Sequence, residues 1–215
     1  MRQGDQERSS LEPIRVVLYD ATDGFSPRRP GLSPVWALGA RLYRGVGHAT
    51  HRAAATGLDH ALAWFRRLPE DTRVAEVQWW SHGNWGNARL GSQRLDERAL
   101  LRGSKHAPDL DALARRLSPD SLLWLRTCES FGARAGQRFA HALASRLGCR
   151  VAGHTYVIGF WQSGLHSLLP GASPSWPADE GVARGSPEAP KRAHISMPFS
   201  PYTIHCLNGA IPEGW

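Results

Sequence analysis

Apolar residues in this chain come in short solid runs separated by stretches with helical spacing. Ile14-Arg15-Val16-Val17-Leu18-Tyr19 is rich in β-branched side chains and stops at the turn-forming cluster Asp20-Ala21-Thr22-Asp23-Gly24, which predicts a first strand. A Pro/Gly loop follows over 27–34, then a short helix over 35–43. Residues 53–67 place Leu58, Leu62 and Phe65 one helical turn apart and predict a helix ending before Pro69. Val74 to Trp80 reads as a strand that stops at Ser81-His82-Gly83-Asn84. A helix over 109–117 breaks at Ser118-Pro119-Asp120. Leu122-Leu123-Trp124-Leu125 is then apolar throughout, as a strand covered on both faces must be.

The clearest helix spans 133–147, with Phe139, Ala140, Leu143 and Leu147 on one side and Gly148 in the capping position. A further strand is predicted over 151–160. Strands and helices in alternation make a parallel sheet covered by helices, an α/β fold. After Gln162 the sequence turns rich in Pro, Gly, Ser and Ala, with no sustained periodicity over 163–200; a last strand is read near 202–207. The expected organisation is a polar leader (1–12), one α/β domain (13–162), and a loop with a terminal strand (163–215) packed on that domain. No internal repeat is visible.

Composition adds bounds. With 215 residues, 41% of them hydrophobic and nine of them Trp, one domain can bury a sizeable core. The net charge is +7, and of the 26 basic residues only Lys105 and Lys191 are lysines. No basic run exceeds a pair, so a solvated Arg-rich surface is the expectation and nucleic acid is not an expected partner. Three cysteines make no disulfide framework. The polar start and the lack of 18 consecutive apolar residues lead us to expect a cytoplasmic protein with no membrane span.

In open parallel sheets, reactive groups collect at the carboxyl ends of the strands. Two predicted strands end in chemically loaded residues, one in His82 and the other in Cys128. A lone Cys there is more often a small buried hydrophobe, and a lone His a satisfied polar group. Together on neighbouring strands they form a nucleophile and its base, because a free thiol with a pKa of about 8.5 needs help to become the attacking thiolate. Gly83 lets its backbone approach a substrate carbonyl, so that its N–H, with that of Cys128, would form an oxyanion hole.

Apolar strand, Ser81-His82-Gly83, apolar strand, then Cys128-Glu129-Ser130 followed by the helix from Gly136 to Gly148 and the strand Arg150-Val151-Ala152-Gly153 resembles the caspase-like (clan CD) cysteine peptidases. The bacterial CHAT-type domains look most similar, over about residues 12–162. The resemblance implies a three-layer sandwich, with a mostly parallel sheet and helices on both faces. It implies His82 as base and acid, Cys128 as nucleophile and Gly83 as oxyanion donor, with no cofactor and no metal. A pocket near the end of the first strand would read the substrate side chain; Asp20 or Asp23 there would favour a basic residue, or Asp20 would orient His82. Glu129 is a third substrate-contact candidate. The expected partners are a peptide or protein substrate and, where activation is needed, a protein activator. The Gln-Ala-Cys-Arg-Gly of caspases is absent, so preference for Asp is not implied.

Other candidates are weaker. His48 and His51 have a metal-like spacing but lie in a Gly-containing loop without an acidic or Cys partner. Cys149 and Cys206 are expected to pack, and His154 and His205 to be structural. Asp179 and Glu180 are alternative pocket acids, and Arg184 and Arg192 are sites for self-cleavage under a basic preference. The competing functions are a caspase-like interaction module without catalysis and an Arg-rich nucleic-acid binder.

Overall fold

The computed structural model describes residues 12–24 and 31–215. Residues 1–11 of the leader and 27–30 of the predicted 27–34 loop lie outside them.

In chain order the elements are β1 (Ile14–Asp20), α1 (Ser33–Gly45), β2 (His51–Ala55), α2 (Leu58–Arg66), β3 (Val74–Trp80), β4 (His82–Asn84), β5 (Asn87–Leu90), β6 (Gln93–Asp96) and α3 (Ala107–Ala114). They continue as β7 (Leu122–Arg126), α4 (Ala133–Leu147), β8 (Arg150–His154), β9 (Trp161–Gln162), β10 (Leu165–Leu168), β11 (Val182–Gly185), β12 (Pro190–Ala193) and β13 (Ile204–His205). The central six-stranded sheet has the order β10-β8-β7-β3-β1-β2. Neighbours from β2 to β8 are parallel, and β10 closes the edge antiparallel to β8.

Successive side chains of a strand point to opposite faces, and β1 shows how the layers arise. Val16 and Leu18 join the core beneath α2, α3 and α4, whereas Val17 and Tyr19 pack with Ala40 and Tyr43 of α1 on the opposite face. Farther along that second face, Trp124, Ala152 and Leu165 are covered by Ile204, with Ile211 and Trp215 against them. The result is the predicted three-layer α/β arrangement. The solid apolar run of β7 follows from burial on both sides, and β3 is buried likewise, with Glu76 and Gln78 its only polar residues. Among the described residues no helix is long and apolar enough to cross a membrane.

α4 matches its predicted span, and Gly148 ends it in the left-handed conformation at φ 66°. Three expectations need correction. The helix read over 53–67 begins only at Leu58, because 53–55 belong to β2, whose alanines at 53 and 55 are buried against the sheet. Ala is a helix former, so sheet pairing with β1 overrides local preference here. The strand read over 151–160 leaves the sheet after His154. The stretch after Gln162 is not structureless: it supplies the edge strand β10 and the β11–β12 hairpin. The small sheet β4-β5-β6, built on Gly86 and Gly91 turns, carries no apolar run long enough to announce it.

Candidate functional site

The site begins with register. Trp80 and Arg126 are paired across β3 and β7, and two residues beyond each lie His82 and Cys128. Both therefore emerge at the carboxyl edge of adjacent parallel strands. Gly83 permits the close approach that follows. A Cβ there would stand 2.5 Å from the Cys128 carbonyl oxygen and 2.8 Å from Thr127 Cβ, closer than atoms pack.

His82 and Cys128 line one cleft of about 450 Å³, both half-buried. The His82 Nε2 is 2.9 Å from Asp23 Oδ2. The edge of the ring meets Trp36 at a centroid distance of 5.3 Å. Asp23 also accepts the Leu32 N–H at 2.9 Å, so one carboxylate both fixes the imidazole and ties down the chain entering α1. The Cys128 thiol donates to the Ile158 carbonyl at 3.8 Å, a long and weak contact. Burial pushes the thiol up from its ordinary range; the backbone of Ile158 opposes this, and the charge of Glu129 adds to it. Among the described residues no hydrogen bond joins the thiol to the imidazole.

The cleft is mostly apolar. One face of α1 and the turn before it contribute Leu32, Val35, Trp36 and Leu42, spaced as a helical face requires. Gly39 on that face lets the helix close on the Trp80 ring, which a Cβ would meet at 2.8 Å. Ile158 and Phe160, from the segment after β8, form a second wall, and Cys206 and Leu207 a third.

At the base of the cleft sits Arg126, 5% exposed, which the sequence reading passed over. Its Nε donates to Gln162, Nη1 to the Tyr43 hydroxyl, Gln78 and the Asn208 carbonyl, and Nη2 to the Cys206 carbonyl at 3.0 Å. The guanidinium stacks over Trp124 at 4.5 Å. It binds the 206–208 segment to the strand that carries the cysteine, and burial lowers its pKa. A cation closing an otherwise apolar strand was the available signal.

The other candidates fall elsewhere. Asp20, expected in the pocket or against His82, is 2% exposed and accepts the N–H and hydroxyl of Thr22 and the N–H of Gly91. It caps the turn after β1, and the histidine is oriented by Asp23 in its place. Glu129 does not line the cleft; it holds a left-handed backbone at φ 41°, and burial raises its carboxyl. Neither Asp179 nor Glu180 lines the cleft either, and Glu180 accepts from His166 and Thr155 at 2.7 Å. Arg184 and Arg192 face each other across the β11–β12 hairpin. Cys149 is buried, as expected, but Cys206 opens into the cleft. His154 is buried and donates its Nδ1–H to the Ser163 carbonyl at 3.2 Å, and burial together with the nearby Arg126 charge holds its pKa down at about 3. The His205 ring stacks on Phe160. His48 and His51 gather no ligands: among the described residues no group of His, Cys, Asp or Glu could hold a metal.

No curated protein matches the chain. Residues 38–166, which carry His82, Gly83, Arg126 and Cys128, match the family described as Domain of unknown function (DUF4347). That match covers more than half of the sequence, and the chain belongs to the DUF4347 family.

Proposed function

We propose that the chain is a caspase-like cysteine peptidase. The observation that carries this reading is the shared edge of β3 and β7, which delivers His82 and Cys128 into one cleft. The thiol proton passes to His82 as sulfur attacks the substrate carbonyl. The tetrahedral oxyanion meets the N–H groups of Gly83 and Cys128, and its collapse to a thioester sends that proton to the leaving amine. Water, relieved of a proton by His82, then hydrolyses the thioester. With Nε2 held by Asp23, Nδ1 is the ring nitrogen left to exchange the proton with sulfur.

A second reading, an interaction module that keeps the fold without catalysis, is favoured by the resting thiol. It is held up by burial and faces a carbonyl, with no bond to the imidazole.

Iodoacetamide labelling separates the two. For a peptidase, Cys128 labels much faster than Cys149 or Cys206, and His82→Ala slows it and cuts peptide turnover by roughly 10²–10⁴-fold. Labelling of Cys128 no faster than that of the other two cysteines sinks the peptidase reading.

A further inference from the structure

We infer that the cleft beside Cys128 takes a large apolar side chain, of the leucine, methionine or phenylalanine class, from the residue preceding the scissile bond. This rests on the peptidase reading above and names its substrate class.

Three observations carry it. First, Leu32, Val35, Leu42, Phe160 and Leu207 are between 41% and 62% exposed, and all of them line this cleft. Soluble proteins rarely gather large apolar side chains on one open surface without something that covers them. Second, among the described residues the cleft lining contains no carboxylate. The acids expected to receive a basic side chain are directed elsewhere: Asp20 to its turn, Asp23 to His82, Glu129 away from the cleft. A lysine or arginine entering here would lose its hydration and meet the buried Arg126 guanidinium instead of a partner, which is unfavourable twice over. Third, Arg126 does not make the cleft an anion site. Its N–H groups already serve Gln162, Tyr43, Gln78 and the carbonyls of Cys206 and Asn208, so a carboxylate would find no free fork to bind. A volume of about 450 Å³ accommodates a large side chain with room beside it.

The test is a set of peptidyl electrophiles identical except at the residue next to the reactive carbonyl, which is Phe, Leu, Arg, Lys or Asp. They are applied to the full chain, to Cys128→Ala and to Leu42→Glu. Leu42 is 48% exposed, so a charge there is tolerated by the fold while facing the cleft. The expected result is labelling at Cys128 at least tenfold faster with Phe or Leu than with Arg, Lys or Asp. In Leu42→Glu the ratio of Arg to Leu labelling should rise at least tenfold. Fastest labelling at Cys128 by the Arg, Lys or Asp reagent overturns the pocket assignment and leaves the nucleophile in place. Equal labelling of wild type and Cys128→Ala by every reagent overturns the peptidase reading and the pocket with it.

Discussion

The imidazole of His82 and the carboxylate of Asp23 meet at 2.9 Å, joining the turn after β1 to the first residue of β4. The contact sets the ring's orientation, and in the proposed mechanism Asp23 is a positioning residue that acts through the histidine. Asp23→Asn should slow peptide turnover and Cys128 labelling about tenfold, a modest share of the general-base contribution. Asp23→Glu should recover part of both. Recovery in the conservative variant, with unchanged thermal stability in both, distinguishes orientation of the imidazole from support of the loop before α1.

Gly83→Ala places a methyl against the Cys128 carbonyl and Thr127 Cβ, just beyond the end of β7. The two strand ends must separate. The expected cost is about 1–3 kcal/mol of stability, and Cys128 labelling should fall by more than tenfold even at temperatures where the protein remains folded. Unchanged labelling in a folded variant would show that close approach at this point is dispensable.

Arg126→Met keeps the length of the side chain and removes every donor. Gln162 loses its Arg126 donor, and the Tyr43 hydroxyl, Gln78 and the carbonyls of residues 206 and 208 each lose one bond, keeping those that Tyr43 makes to the two carbonyls and Trp80 makes to Gln78. A loss of about 3–5 kcal/mol is expected, equivalent to roughly 6–20 °C in Tm for a chain of this size. Limited proteolysis should then cut first within 204–211, the segment the guanidinium holds.

His154 gives the stability curve a slope in acid. Its folded pKa of about 3 lies below the usual value near 6.5, because burial and the charge of Arg126 oppose protonation. Below about pH 6.5 the unfolded chain takes up a proton that the folded one refuses. Stability is therefore complete above that pH and declines as pH falls toward 3, by up to about 1.4 kcal/mol per unit from this group. Chemical denaturation of His154→Gln between about pH 6 and pH 4 should show a pH slope shallower by one proton. An identical slope would place the proton elsewhere.

The fold and the pair were legible for a single reason: the central strands are covered on both faces, so their apolar runs and the residues that end them stand out in sequence. β3, β7 and α4 could be read almost to the residue. β2 could not, since His51-Arg52-Ala53-Ala54-Ala55 carries helix formers whose strand conformation comes from pairing with β1. The cleft walls were hidden for another reason. Leu32, Val35, Phe160 and Leu207 belong to segments distant along the chain, and only the closing of α1 and the C-terminal stretch over the sheet brings them together. Asp20 and Asp23, three residues apart in one turn, differ only in where the turn points them.

The stretch shared with the DUF4347 family, 38–166, holds His82, Gly83, Arg126 and Cys128, while Asp23, Leu32, Val35, Cys206 and Leu207 fall outside it. The candidate pair thus lies wholly inside the shared stretch, while the cleft walls are divided: Leu42, Ile158 and Phe160 fall within it, and Leu32, Val35, Cys206 and Leu207 in the flanks. Under the proposed reading, substitutions at Leu32, Val35 or Leu207 alter what the cleft admits without touching His82, Cys128 or the Asp23 contact, so recognition is open to selection from the flanks while the pair is inherited with the core.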